Sequence, residues 1–325
     1  MRPDMDDPGR RTFVAGMLTA GAASAIGRAS WAIAAEPTVR RRMTIDLICG
    51  NLGVKATQRE AIDLARRHGF ESVFADAGEL ARLSDAEVEA VQADLKAAGL
   101  VFGAAFLAVD FRKDEDTFAR GLAELPAYAR ALQRAGVRRT GTWLPPSSDA
   151  FTYLQFFKQT ARRLREVARV LGDHDVRLGL EYVGPKTAWA ARRYPFLHTL
   201  AETRELIAEI GLASVGLVLD SWHWYHAGDG AADVLSLRNE DVVAVDLNDA
   251  PADVPKDQMR DNARELPLAT GIIDAGAFLK ALAAIGYDGP VRAEPFNDAV
   301  RKLTPEEAVA TTARAMKKAF ALLEG

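Results

Sequence analysis

Four apolar runs in the second half of the chain each close on an acid. They are Leu178-Gly179-Leu180-Glu181, Leu217-Val218-Leu219-Asp220, Val242-Val243-Ala244-Val245-Asp246 and Val291-Arg292-Ala293-Glu294. The acids are 39, 26 and 48 residues apart, so each belongs to a different strand-and-helix unit. Neighbouring strands run roughly 5 Å apart, so four strand-end acids at one level converge on one small volume. Carboxylates that close cannot all stay ionised unaided. A divalent cation resolves the repulsion, and an all-oxygen shell of Glu181, Asp220, Asp246 and Glu294 suits Mn²⁺, Mg²⁺ or Ca²⁺ better than thiophilic ions. Such a centre polarises a carbonyl and its neighbouring hydroxyl. A single strand-end acid is more simply a solvated loop starter, but four on consecutive strands favour a site.

Other residues fall near the same rim. His223 follows Asp220 by three positions and is placed to donate a hydrogen bond or relay a proton. Trp222 and Trp224 offer an apolar wall for a sugar face, or packing for the rim. Arg264 lies in a long segment, 248–271, without clear periodicity; a loop of that kind is more often a lid than a plain connector. Its planar fork suits a substrate hydroxyl or carboxylate. His198 and Lys186, in the loop after Glu181, are within reach of the site or belong to the surface. Arg292 shares a face with Glu294 one layer deeper, and a buried arginine needs a partner. Asp46 on the first strand is the expected one, with Glu294 as competitor.

The elements that must position these residues alternate. Strands are expected at 44–49, 72–75, 101–106, 138–143, 177–182, 216–220, 242–247 and 291–295. Helical spacing fills 58–68, 85–98, 117–135, 151–171, 200–210, 275–285 and 305–323. Several helices end at a glycine (Gly69, Gly99, Gly136, Gly211 and Gly286), the residue that adopts the left-handed cap without a Cβ clash. Eight such units describe a (β/α)₈ TIM barrel whose active site lies at the C-terminal ends of the strands. A doubly wound open sheet needs no eighth unit, and no glycine-rich phosphate turn is present.

Composition sets the outer limits. The chain has 325 residues, 49% hydrophobic and 26% charged, which is ordinary globular usage and excludes a disordered or fibrous protein. A net charge of −4 gives no bulk attraction to a nucleic-acid backbone. The single cysteine, Cys49, excludes an internal disulfide framework and any cysteine-rich zinc module. At the N-terminus, Gly9-Arg10-Arg11-Thr12-Phe13 precedes an Ala/Gly-rich run and small residues ending at Ala34-Ala35. That order resembles a twin-arginine (Tat) export signal over residues 1–35, leaving a barrel over 36–325 in the periplasm with no stable membrane anchor. The Tat machinery is then a partner, while homo-oligomerisation stays open.

Together the residues resemble the xylose isomerase-like TIM-barrel superfamily. The similarity is greatest to its sugar isomerase/epimerase branch, with ketose 3-epimerases, hydroxypyruvate isomerases and inosose dehydratases. Its carriers are Leu180-Glu181-Tyr182, Asp220-Ser221-Trp222-His223, Asp246-Leu247-Asn248-Asp249, Arg264-Glu265-Leu266-Pro267 and Gly286-Tyr287-Asp288-Gly289-Pro290 leading to Glu294-Pro295-Phe296. The resemblance implies one divalent metal, Mn²⁺ as first expectation with Mg²⁺ or Co²⁺ as alternatives, held by two Glu, an Asp and a His. Glu181, Asp220 and Glu294 match, and Asp246 stands where the family has histidine. It also implies Glu181 and Glu294 as base and acid, with His223 and Arg264 touching substrate. The expected activity is isomerisation or epimerisation of an unphosphorylated keto-sugar or related polyol through an enediolate. Alternatives are β-elimination by a keto-sugar dehydratase or glycoside lyase, and a non-catalytic periplasmic sugar-binding barrel. Endonuclease IV relatives, with a His-rich multi-zinc site and a basic surface, do not fit five histidines.

Overall fold

Local signals at the helix ends fix the frame. Thr57, Ser84, Thr199 and Thr304 each cap a helix and receive a glutamate in return, satisfying donors that a helix start leaves unpaired. Gln58–His68, Asp85–Ala98 and Leu200–Ile210 end at Gly69, Gly99 and Gly211 in the left-handed region. The helices Glu115–Ala135, Tyr153–Gly172, Ala275–Ala284 and Pro305–Phe320 lie within two residues of the sequence expectation at their starts. This is a computed structural model, describing residues 41–324. The expected export signal and most of the neck that follows it lie outside the described residues.

Between the helices run the strands Thr44–Leu47, Ser72–Val73, Arg139–Trp143, Arg177–Glu181, Val215–Asp220, Val242–Asp246 and Pro290–Arg292, with one further position split into Val101–Phe102 and Ala105–Phe106. All pair in parallel. In the nine-stranded order the two halves of the split strand are the two ends. Because those halves adjoin in the chain, the sheet curls into a TIM-barrel-like ring. At the break the chain passes close to Asp46: a Cβ on Gly103 would stand 2.4 Å from its carboxylate.

The strands are buried on both faces. Leu178, Leu180, Leu217, Leu219, Val245 and Val291 belong to the large core shared with the helices, while Ala104, Val218 and Ala244 form a small separate cluster and Asp46, Asp246 and Arg292 are buried as well. No described helix is long and apolar enough to cross a membrane.

Candidate active site

Register decides which of the four acids share a layer. Asp220 pairs with Asp246, Asp246 with Arg292, and Arg292 with Asp46. Glu294 lies two residues past Arg292, beyond the end of its strand. The expectation of four acids at one level is therefore corrected: Glu294 stands one layer above Asp220 and Asp246.

That layering changes what Asp246 can do. Arg292 grips it with both arms of the guanidinium, Nε donating to Oδ1 at 2.6 Å and Nη2 to Oδ2 at 2.9 Å, and both residues are buried. This corrects the expected Asp46–Arg292 pair. The inward direction of Arg292 is as expected, but the lateral partner is on the other side. Asp46 keeps both carboxylate oxygens without a hydrogen bond, and burial pushes its carboxyl up to about 6 despite the nearby Ser72 hydroxyl and Arg292. Asp246 has both oxygens in the Arg292 fork and stands outside the close grouping of Glu181, Asp220 and His223, where the sequence had suggested a fourth ligand.

The remaining acids gather around Arg264. Its Nη1 donates to Asp220 Oδ2 at 2.6 Å and to Glu294 Oε2 at 3.0 Å, while Nη2 donates to Asp261 Oδ1 at 2.8 Å. Asp220 Oδ1 accepts from the Trp222 backbone at 2.8 Å and from Asn248 Nδ2 at 3.0 Å. Asn248 also accepts from the Glu294 backbone N–H at 2.9 Å, so it braces both acids. Sequence reasoning missed Asn248 as a site residue, although its place two positions past Asp246 was a usable signal. Glu181 Oε1 is shielded and has no partner. Burial, then the neighbouring Glu294, Asp246 and Asp220, hold the Glu181 carboxyl well above the usual carboxylate range. Burial and Asp246 push Glu294 up to about 8.

Glu181, Asp220 and His223 each place one potential ligand atom within 4.8 Å of the others. The imidazole meets an N–H on each side. Its Nδ1 accepts the Gly184 backbone N–H at 3.2 Å, and burial keeps the ring neutral by lowering its pKa to about 3. Arg264 Nη2, which can only donate, lies 3.4 Å from the other ring nitrogen, Nε2. That atom faces the Asp220 and Asp261 carboxylates, 3.7 Å from each. Gly184 makes the arrangement possible, since a Cβ there would lie 2.5 Å from the His223 carbonyl oxygen.

The acids open onto a pocket of about 270 Å³ whose walls include Trp143, Val183, His223, Arg264 and Phe296. Charge within it does not balance. The pair Asp246–Arg292 cancels, but among the described residues Arg264 is the one cation set against Glu181, Asp220, Glu294 and Asp261, and burial with mutual repulsion raises Glu181, Asp220 and Glu294 toward the protonated form. Acids short of counter-charge, with an orphaned Glu181 oxygen among them, fit a divalent cation with oxygen ligands, whose arrival would ionise them.

Three other expected contacts fall elsewhere. Trp222 is fully buried beneath Arg264, whose guanidinium carbon is 5.6 Å from the ring centre, so it supports the arginine and does not line the pocket. His198 stacks on Trp189 and bonds the Phe196 carbonyl. Lys186 pairs with Asp257 at the surface. Trp143, at the end of its strand and half exposed, lines the pocket instead; the sequence named it only as a strand end.

Comparison with known proteins agrees with this geometry. The sequence profile of the xylose isomerase-like TIM-barrel family matches residues 62–319. Inosose isomerase of Bacillus subtilis (strain 168) is 29% identical over 154 residues, covering 47% of this chain and 52% of the relative. The 3-dehydroshikimate dehydratase of Pseudomonas aeruginosa is 29% identical over 157 residues, 48% of this chain and 23% of its own length. The chain thus spans about half or less of the curated relatives it matches. A xylose isomerase domain protein from Alicyclobacillus acidocaldarius superposes with a TM-score of 0.75 at 34% identity, covering 87% of this chain and all of that one.

Proposed function

Since this chain belongs to the xylose isomerase-like TIM-barrel family, we propose that it is a divalent-metal-dependent isomerase or epimerase of an unphosphorylated keto-sugar or related polyol. The observation that carries this reading is the grouping of Glu181, Asp220 and His223, whose potential ligand atoms lie within 4.8 Å of one another, with Glu294 beside Glu181 and His223 at the wall of one small pocket. These three acids would hold the cation. When bound, it supplies Lewis acidity to a carbonyl and an adjacent hydroxyl, which lowers the pKa of the C–H between them.

The chain's own groups do the rest. Glu181, with an oxygen free of partners, takes the proton from carbon. Glu294 enters from a strand three places round the ring and returns a proton from another side. His223 lines the pocket beside them, and Asn248 keeps Asp220 and Glu294 in place. Arg264 is the one cation lining the pocket among the described residues, and its arms are already committed to three carboxylates. That leaves no clamp for a phosphate, which favours an unphosphorylated substrate. The likeness to a dehydratase supports β-elimination as the second reading, because it shares the first proton abstraction.

We also propose Tat-dependent export to the periplasm, on the pattern around Arg10 and Arg11. Metal-loaded protein incubated in D₂O with a panel of keto-sugars should incorporate deuterium at the carbon beside the carbonyl. Absence of exchange across the panel, with stoichiometric metal bound, refutes the isomerase reading.

A further inference from the structure

The acid pocket does not end at its far wall. Trp143, Pro146 and Ala188 line it on one side and also line a second, larger groove of about 660 Å³. The groove is built and rigid. Arg112 lies against the Trp143 indole, 4.5 Å from its ring centre, and donates to Thr142 Oγ1 and the Trp143 carbonyl. One face of the ring is thereby backed, yet Trp143 stays 47% exposed, so apolar ring surface remains for a ligand. Across the groove Phe151 is 37% exposed, stacks on Phe156, and has its backbone N–H held by Ser148 Oγ.

Among the described residues, four of the groove's five charged side chains pair off, Arg112 with Asp110 and Arg192 with Asp149, leaving Lys113. Much of what else faces the space is aromatic and proline surface. A ring with an apolar face suits it, by stacking on indole. The acid pocket alone, at about 270 Å³, falls just below the usual range of about 300–1,000 Å³ for ligand sites.

Resting on the reading of the acid pocket as the reaction site, we infer that the substrate is a glycoside whose reacting ring carries a ketone beside a hydroxyl. Its reacting sugar lies at Glu181 and Glu294, and a second ring lies in the groove on Trp143 and Phe151. The second ring is either another sugar or an aromatic aglycone, and the two share the chemistry of a flat apolar face.

Calorimetric titration or saturation-transfer NMR of the full, metal-loaded chain tests this with three probes. They are methyl β-D-glucoside, cellobiose and p-nitrophenyl β-D-glucoside, analogues that lack the ring ketone and so report binding alone. At least one two-ring probe should bind roughly tenfold more tightly than the one-ring probe, the size of one aromatic stack. Phe151→Ala should remove that surplus and leave methyl glucoside binding unchanged. A surplus for cellobiose identifies a sugar as the second ring, and a surplus for the nitrophenyl glucoside identifies an aglycone. Equal binding of all three probes, no binding by either two-ring probe, or an equal loss for all three in Phe151→Ala overturns the inference. Because binding is read without turnover, absence of deuterium exchange alongside a surplus refutes the isomerase reading and leaves the second ring standing.

Discussion

Replacing Asp46 by asparagine should stabilise the protein at neutral pH and have little effect in acid. Asp46 is 1% exposed with no hydrogen bond to either oxygen, and burial holds its carboxyl up to about 6. In the unfolded chain an aspartate titrates near ~3.9. Between these two values the folded state binds the extra proton, so stability falls as pH rises through the window and the full penalty is present above it. A gap of about two units corresponds to ~3 kcal/mol at ~1.4 kcal/mol per unit. The groups that face Asp46 are Ser72, Arg292 and Asp246; Ser72 and Arg292 keep their charge through that window, and the Asp246–Arg292 pair is common to both proteins. Asparagine has the size of the protonated acid and cannot ionise, so the variant should lack this part of the pH dependence. Urea unfolding of both proteins at about pH 4 and pH 7.5, followed by far-UV circular dichroism, reads the difference directly. A variant that is no more stable at pH 7.5, or whose advantage is the same at both pH values, would refute the reasoning.

Arg292→Met should cost about 3–5 kcal/mol because it leaves Asp246 charged and unpaired in the core; adding Asp246→Leu should recover much of it, as a double-mutant cycle by denaturant unfolding will show. Gly184→Ala drives a Cβ into the His223 carbonyl, 2.5 Å away, and should cost about 1–3 kcal/mol with loss of sugar binding measured by calorimetry. Glu181→Gln should lose bound metal, by elemental analysis of the dialysed protein, together with deuterium exchange, while its melting curve stays cooperative. Arg10→Lys combined with Arg11→Lys should leave precursor in the cytoplasm on cell fractionation, and normal periplasmic accumulation would count against a Tat signal.

The barrel was legible because its signals are local. A β-branched run, a helical stripe and a terminal glycine repeat along the chain, and each needs only its own neighbours to be read. The facing of Arg292 followed from strand alternation alone. Its partner did not, because register places the arginine beside both Asp46 and Asp246, and the reach of its fork decides between them. The phase of the last strand was found, but the strand stops at Arg292, so Glu294 rises out of the layer assigned to it. His198 and Lys186 misled for a related reason: loop residues near a strand end in sequence turn away to Trp189 and Asp257. Asn248 and Trp143 carry no charge, and a search led by ionisable groups passes over them.

The segment 248–271 was expected to act as a lid, and the structure shows how it is fastened. Asp249 accepts the backbone N–H groups of Thr270, Gly271 and Ile273, and Arg264 carries the segment's only guanidinium bound to Asp220 and Glu294. Lifting that side would strip two buried acids of their counter-charge, so it is the costly door. On the Trp143 side Arg112 is paired with Asp110 and bonds none of the pocket acids, so access past the indole would leave their pairing intact and would make Trp143 an early contact for a substrate.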